Sequence, residues 1–230
     1  DKSHVVYEHN GAPRELECRQ VYSTIPVTLL TRLVDTPVPD TVVEAANSLE
    51  FRSMVLVYLL LDQDRFSEYD AHYFPGADFT FTRISETKNY SDRQEPLGRT
   101  SLCAEVPCFL DDSTWSMTDE QLAGMVTTGL AHAGLPVTSD LLEIRTRRIP
   151  YANPLFKVGY EKDFEKIDAW LDQLDGILSF GRQGLYVHDN THHAIYMAQA
   201  AAECLRPDGT IDSKAWKRYR KEFEKHVVED

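Results

Sequence analysis

The segment at residues 51–62 constrains the fold more than any other part of the sequence. It reads FRSMVLVYLLLD, and its apolar side chains fall on both faces of a strand, because successive side chains of a strand point to opposite faces. A strand that is apolar on both faces must be covered on both sides, so we expect an interior strand of a sheet. The longest apolar run, at residues 54–61, stops at Asp62. Since a membrane-spanning helix needs about 20 apolar residues, no membrane span is predicted.

Local signals predict the other strands and helices. Asn10 and Gly11 lie between two β-prone segments and supply the positive φ angles of a tight hairpin. Thr118 and Gln121 form a capping box, which predicts a helix that begins there. We also expect short helices at 27–33 and 41–48, strands at 71–75, 79–84, 100–108 and 141–149, a polar loop at 85–98, a turn at 151–154, and a last helix capped by Ser213. Because strands and helices do not alternate regularly, the pattern predicts an α+β protein whose largely antiparallel or mixed sheet has flanking helices.

The charge and the cysteines narrow the class of protein. The chain has 24 Lys and Arg against 37 Asp and Glu, a net charge of −13, which disfavours binding to nucleic acid. Its four cysteines show no Cys-x-x-Cys spacing, which favours free thiols in a reducing compartment. Together with the absence of a signal-peptide pattern, these features predict a cytoplasmic protein without a nucleic-acid partner.

The segment at residues 177–199 carries the densest group of chemically active side chains. A short apolar run is followed by Gly-Arg-Gln-Gly at 181–184, by a polar segment at 188–193, and by an alanine-rich helix. Backbone N–H groups and the helix dipole favour an anionic group at a helix N-terminus. Arg182 lies between two glycines, so a phosphate could approach its guanidinium closely. The segment therefore predicts a site for an anionic or electron-accepting group; a salt-bridged surface turn is the alternative.

The same segment offers metal ligands. The candidates His188, Asp189, His192 and His193 carry groups that bind zinc or iron. Adjacent histidines diverge by about 100° on a helix, and the sequence shows no further ligand cluster. We therefore predict no metal site. The other interpretation is that Asn190 or Thr191 caps the helix and the histidines are ordinary polar residues at its start.

A second anion site is predicted near residue 83. Arg83 ends a predicted strand beside the loop that carries Asn89, which favours contact with an anionic substrate, although a solvated strand end is the alternative. The sequence contains no Gly-x-Gly-x-x-Gly, the usual fingerprint of a dinucleotide-binding unit.

Several segments, taken in order, resemble a known family. They are Val-Tyr-Ser-Thr-Ile-Pro at 21–26, Tyr-Phe-Pro at 73–75, Phe-Thr-Arg at 81–83, Asn-Tyr-Ser at 89–91, and Phe-Gly-Arg-Gln-Gly at 180–184 with the helix that follows. The chain resembles the C-terminal part of the FAD-dependent amine oxidase-like flavoproteins, especially the members similar to protoporphyrinogen oxidase and UDP-galactopyranose mutase. The resemblance spans nearly the whole chain, and the order and spacing of the segments are more specific than any one of them.

The resemblance implies a division of the chain. Residues 1–26 correspond to a hairpin and a strand at the edge of an FAD domain, and residues 27–175 to a substrate domain. Residues 176–206 correspond to the strand and helix that return to the flavin, and residues 207–230 to a C-terminal helix. The family's N-terminal glycine-rich unit has no counterpart here, so we expect a fragment that retains FAD weakly or not at all.

The resemblance also assigns candidate site residues. Those implied to contact FAD are Gly181, Arg182, Gly184, Asp189, Asn190, Thr191 and His192. Those implied to contact a small-molecule substrate are Arg83, Asn89, Tyr151 and His188. No catalytic residue is predicted.

Departures from the mutase pattern favour the broader class. Mutases commonly have a tyrosine where this chain has His188 and often an acid where it has His192, and their Tyr-x-Tyr-Pro becomes Tyr-Ala-Asn-Pro at 151–154. We therefore predict part of an FAD-dependent oxidoreductase. The alternatives are a UDP-galactopyranose mutase-like sugar-nucleotide enzyme and a non-catalytic binding or assembly module. The sequence leaves the oligomeric state open.

Overall fold

The computed structural model describes residues 3–92 and 95–228. The strands are β1 (Ser3–His9), β2 (Ala12–Cys18), β3 (Val21–Ser23), β4 (Phe51–Leu61), β5 (Ala71–Tyr73), β6 (Arg83–Glu86), β7 (Thr100–Cys108), β8 (Leu141–Pro154) and β9 (Ile177–Ser179). The helices are α1 (Val27–Leu33), α2 (Asp40–Ser48), α3 (Ser113–Ser116), α4 (Asp119–His132), α5 (Tyr160–Leu171), α6 (Gly181–Gly184), α7 (Thr191–Glu203) and α8 (Ser213–Phe223), with a 3-10 helix at Thr87–Tyr90. The predicted α+β class is confirmed.

The chain forms two compact units. The first contains the described residues of Asp1–Glu50 and Pro154–Asp230, and the second those of Phe51–Asn153. The first unit is therefore discontinuous in sequence. The second is one continuous segment of the chain, inserted between positions 50 and 154 of the first unit. The division into cofactor-binding and substrate-binding parts, which the family resemblance implies, stays a prediction.

A five-stranded sheet, in the order β5-β6-β7-β4-β8, forms the second unit. As predicted, β4 is an interior strand; it pairs antiparallel with β7, with Val57 opposite Ala104. On one face of the sheet, Val55 and Leu59 are fully buried, in one core with Leu122 and Val126 of α4. The other face is only partly covered, which leaves side chains of alternate residues accessible.

Helix α4 begins as its sequence predicts. Thr118 accepts a hydrogen bond from the Gln121 N–H, and the Gln121 side chain accepts one from the Thr118 N–H. The helix ends before Gly134, which adopts a φ of 78°. This reciprocal cap positions the apolar face of α4 on the sheet.

The turn predicted at residues 151–154 is wrong, because β8 continues to Pro154. This strand lies at the end of the strand order, and an edge strand tolerates proline since one side of it needs no ladder hydrogen bond. The strand predicted at 141–149 therefore extends through Pro150 to Pro154. The strand predicted at 79–84 is also displaced, to Arg83–Glu86.

The first unit begins with the predicted hairpin. Strands β1 and β2 pair antiparallel from Ser3 opposite Cys18 to His9 opposite Ala12. The two turn residues between them have φ angles of 51° and 73°, the left-handed conformation that Asn-Gly favours.

A short parallel strand pair and the helices α1, α2, α5, α6, α7 and α8 complete the described part of the first unit. Strand β3 pairs with β9, with Tyr22 opposite Leu178. The core behind this pair joins residues of β9, α7 and α8, namely Leu178, Phe180, Leu185, Met197, Ala200, Ala201, Cys204, Trp216 and Phe223. The N-cap of α8 is Asp212, whose carboxylate accepts from the Ala215 N–H at 3.0 Å, so the cap predicted at Ser213 is one residue too late. Across the described residues, the structure contains no helix with the length and apolarity to cross a membrane.

Candidate functional site

The segment after β9 is held by backbone contacts with β3. The Phe180 N–H donates to the Ser23 carbonyl at 3.0 Å, and Gly181 adopts a φ of +80°, which favours glycine. A Cβ on Gly184 would lie 2.7 Å from Ser179 Oγ and 3.3 Å from the Ser23 carbonyl oxygen. Gly184 therefore lets α6 pack directly against the two strands. Packing explains this glycine, and its contact with a cofactor stays a prediction.

Arg182 is a half-buried cation that lacks a complete set of partners. Its Nε is buried and has no hydrogen-bond partner among the described residues. Burial lowers the pKa of its guanidinium from the ordinary value, and the nearby charge of Asp189 partly opposes this shift. Because a buried charge is costly without a hydrogen-bonded partner, the position suits an anionic ligand.

Asp189 is the buried centre of a small cluster, which we call the histidine cluster and define as Asp189, His193 and His226. The Asp189 side chain is 2% exposed, and each imidazole is 12% exposed. Asp189 Oδ2 lies 3.1 Å from His226 Nδ1, and Oδ1 lies 3.5 Å from His193 Nδ1. The sequence indicated Asp189 and His193 but missed His226, which is separated from Asp189 by 37 residues and all of α8.

The start of α7 places the remaining predicted flavin contacts. Asn190 is the N-cap, and its backbone N–H donates to His193 Nδ1 at 3.2 Å. Thr191 and His192 are exposed at the first turn. The capping role proposed for Asn190 is therefore present, and the first turn is open to a ligand.

Three imidazoles meet beside this helix start. The rings of His193 and His226 stack at 4.2 Å with an angle of 11° between planes, and the His192 ring lies 4.0 Å from His193. The pKa of His193 is lowered by burial and then by the two neighbouring imidazoles, with Asp189 opposing. The neutral form of His193 is thus favoured more than in an isolated imidazole.

Tyr186 is a second residue that the sequence did not indicate. It is fully buried with a φ of 50°, a strained conformation for a residue with a bulky side chain. Its hydroxyl lies 2.6 Å from the Glu50 carbonyl oxygen and 2.9 Å from that of Leu155. The strain is offset by this anchoring, which fixes the backbone between Arg182 and Asp189. No local signal in the sequence would have revealed the left-handed backbone.

His188 and Tyr151 are not members of the histidine cluster. The exposed His188 ring lies 6.0 Å from Phe156 in the first unit. Tyr151 belongs to β8 in the second unit, where its ring meets Phe51 edge-on at 5.5 Å. Contact of either with a substrate stays a prediction.

Arg83 is already paired on the open face of the sheet. Its guanidinium donates to Glu105 through Nε at 3.1 Å and through Nη2, and it lies over the Tyr73 ring at 5.8 Å. The side chain is 36% exposed. At the anion site predicted near residue 83, the carboxylate of Glu105 therefore already neutralises the guanidinium of Arg83.

Asn89 belongs to a buried polar network that we call the loop knot, defined as Glu86, Lys88 and Asn89. The Asn89 amide donates to the carbonyls of Ser67 and Tyr69 at 3.1 and 2.8 Å and to Glu86 at 3.1 Å. Lys88, expected in a polar loop, is instead buried, because its ammonium bonds three backbone carbonyls and Asp64. These contacts give Asn89 a structural role, and its contact with a substrate stays a prediction.

No protein-family model and no curated protein matches this sequence. Solved structures do match. Reduced UDP-galactopyranose mutase has 21% sequence identity and a TM-score of 0.64, over 76% of this chain and 37% of the mutase chain. A protoporphyrinogen oxidase-like protein from Exiguobacterium sp. 255-15 has 20% identity and a TM-score of 0.55, over 80% of this chain and 43% of its own. A putrescine oxidase with redesigned cofactor binding has 15% identity and a TM-score of 0.51, over 76% and 41%.

These likenesses concern the fold. The chain spans about two fifths of the length of each of the three proteins. They belong to the group that the sequence segments indicated. The chain therefore has the fold of the matching part of the FAD-dependent amine oxidase-like flavoproteins, as its sequence predicted.

Proposed function

We propose that this chain is part of an FAD-dependent oxidoreductase, in which the first unit contacts the cofactor and the sheet of the second unit binds a small-molecule substrate. The observation that carries the proposal is Arg182, a half-buried cation whose Nε has no hydrogen-bond partner among the described residues. It lies in the segment between the strand β9 and the exposed start of α7. A cofactor diphosphate supplies the anion that this position lacks.

The residues near Arg182 fit such a cofactor. Gly181 allows close approach of a ligand to the backbone, and a helix N-terminus such as that of α7 favours negative charge by about 0.3–2 kcal/mol. In this proposal Arg182 holds the diphosphate and the N–H groups of Thr191 and His192 face the flavin. FAD supplies the redox chemistry when bound. The protein binds and orients the cofactor and the substrate, and it excludes water.

The open face of the sheet supports an oxidoreductase over a mutase. A nucleotide-sugar diphosphate needs a free cation, whereas Arg83 is already neutralised by Glu105. On the same face, the Tyr58 hydroxyl has a pKa raised by burial and by the neighbouring Cys103, so it stays protonated and can donate a hydrogen bond. A weakly charged substrate that passes electrons to the flavin fits this surface better than a diphosphate does.

The test uses the protein extended upstream with its own sequence, together with the 230-residue chain. We expect the extended protein to purify with visible flavin absorbance and the 230-residue chain to bind added FAD weakly or not at all. A hydrogen bond to a charged group contributes about 1.5–3 kcal/mol, so Arg182→Met should weaken FAD binding by about 10–150-fold.

The matched control is Arg14→Met, at an exposed position of the hairpin, which should leave FAD binding unchanged. A colourless extended protein, or wild-type flavin content in Arg182→Met, would contradict the proposal.

A further inference from the structure

We propose that Asp189, His193 and His226 form a binding site for one divalent transition-metal ion, of which Zn²⁺ is the representative. This inference is independent of the flavin proposal, because all three ligands belong to the first unit and none of them requires a cofactor in place. It also differs from the metal site considered from the sequence alone, since the third ligand comes from beyond α8.

The distances between the ligand atoms fit a metal ion. One ligand atom from each of the three residues lies within 4.8 Å of the other two. The two measured separations, from Asp189 Oδ2 to His226 Nδ1 and from Asp189 Oδ1 to His193 Nδ1, are 3.1 and 3.5 Å. A tetrahedral zinc ion with bonds of about 2.0–2.1 Å separates its ligand atoms by about 3.3–3.4 Å. The ligand atoms therefore lie close enough to share one ion, once the stacked rings of His193 and His226 turn so that both Nδ1 lone pairs point at it.

The hydrogen bonds explain why an ion suits the cluster better than protons alone. His193 Nδ1 accepts from the Asn190 N–H at 3.2 Å, so this nitrogen presents a lone pair. The same atom faces a carboxylate oxygen of Asp189. A lone pair and a carboxylate oxygen repel each other in a poorly solvated site. A cation bound by both converts that repulsion into two favourable bonds, and the Asn190 N–H then returns to solvent or to a fourth ligand.

The donor set selects the class of metal. Two neutral imidazoles and one carboxylate suit Zn²⁺, Co²⁺ and related ions, whereas Mg²⁺ and Ca²⁺ prefer oxygen ligands. Three protein ligands leave a fourth position for water or an anion, as in open zinc sites. Asp189 removes one of the two positive charges of the ion, and an anionic fourth ligand would remove the other.

The ion would join two parts of the first unit. Asp189 and His193 flank the start of α7, whereas His226 follows the end of α8. Binding an ion would therefore fix the segment after Phe223 on the N-terminus of α7. Because binding to the folded state stabilises it by mass action, the melting temperature should rise with the concentration of Zn²⁺.

The experiment is titration of the chelator-treated 230-residue chain with Zn²⁺ in the absence of flavin, followed by calorimetry and thermal melting. We expect one ion per chain, a rise in melting temperature, and a visible tetrahedral spectrum with Co²⁺. Loss of an outer-shell partner alone costs about 10–100-fold in metal affinity, so His226→Ala should cost at least about 100-fold. Mg²⁺ should leave the melting temperature unchanged.

The matched control is His132→Ala. His132 Nε2 lies 3.1 Å from Asp78 Oδ2, the same separation as between His226 and Asp189. Among the described residues, this pair has no third ligand beside it. The His132→Ala variant should therefore bind Zn²⁺ as the wild type does. His226→Gln provides a second variant that keeps the side chain's volume, with circular dichroism to check folding. Absence of one-to-one binding by the wild type, or wild-type affinity in a folded His226 variant, would overturn the proposal.

Discussion

The loop knot of the second unit and the histidine cluster of the first unit both bury charged side chains, but they satisfy them differently. In the loop knot, Lys88 is 2% exposed and its ammonium contacts four oxygens. Beside the histidine cluster, Arg182 has a buried Nε with no partner among the described residues. Native proteins rarely leave buried polar groups unpaired without a reason. The comparison teaches that the loop knot satisfies its buried charge with its own oxygens, whereas the region around Arg182 leaves a buried donor unsatisfied, which fits the proposed ligand.

Removing the cation of the loop knot should have the largest effect. Lys88→Met leaves the carbonyls of Asp64, Pro96 and Arg99 without their donor, while the Asp64 carboxylate, 54% exposed, regains water. At about 1–3 kcal/mol for each poorly solvated group, we expect a loss of about 2–4 kcal/mol in the free energy of unfolding, measured with urea.

The control is Lys166→Met, whose ion pair with Asp163 is 51% exposed on the lysine side and should cost no more than about 0.5 kcal/mol. Equal losses in the two variants would remove the distinction between a buried network and a surface pair.

Neutralising the centre of the histidine cluster should have a smaller effect. Asp189→Asn keeps an oxygen that can accept from His226, but it turns a charge-assisted hydrogen bond into a neutral one and removes a charge near Arg182. We expect a loss of about 1 kcal/mol in the metal-free chain, measured by urea unfolding. Asp78→Asn changes an exposed Asp–His pair and should be nearly silent. A loss as large as that of Lys88→Met would show that the histidine cluster is as complete as the loop knot.

Acid should weaken the loop knot through Asp64. Hydrogen bonds from the Lys88 ammonium and then the Gly98 N–H lower the pKa of Asp64 from its ordinary value of 3.8. Below that value the unfolded chain binds the proton more readily, so this contribution is present at higher pH and is lost as pH falls through the folded-state pKa. Unfolding curves at a series of pH values, for the wild type and Asp64→Asn, should converge as pH falls. Parallel curves would contradict the assignment.

Removing the charge of Arg182, whose hydrogen bonds are incomplete, should have the smallest effect on stability. Arg182→Met takes a poorly satisfied charge out of a half-buried position, so the metal-free and flavin-free chain should change by less than about 0.5 kcal/mol. Arg220→Met is the contrasting variant, because Arg220 donates to both oxygens of Asp168 at 3.0 and 2.9 Å. Its loss should cost about 1–2 kcal/mol. If Arg182→Met is the more damaging of the two in thermal and urea unfolding, Arg182 is a structural residue.

The sequence predicted those features whose cause lies within a few residues. The Asn10-Gly11 turn, the Thr118 cap and the interior strand β4 each follow from local backbone or periodicity rules. The segment around Arg182 was also indicated, because glycine, arginine and a helix start are adjacent in the chain.

The features that the sequence did not predict depend on distant partners. His226 meets Asp189 only because α8 packs against α7, and no local pattern carries that information. Lys88 was placed in a polar loop, since its carbonyl partners come from three other positions. Residues 151–154 were predicted to form a turn, because the place of β8 at the sheet edge, where proline is tolerated, is a property of the whole sheet.

The contacts of Tyr186 make the second unit a replaceable insert. The Leu155 N–H donates to the Glu50 carbonyl at 2.9 Å, and the Tyr186 hydroxyl contacts both segments. Glu50 and Leu155, which flank the segment 51–153, are therefore held together by hydrogen bonds within the first unit, whatever lies between them. A different sheet could be spliced in at these two positions without altering the register of β3 and β9. Such a junction allows the two units to evolve, or be engineered, separately.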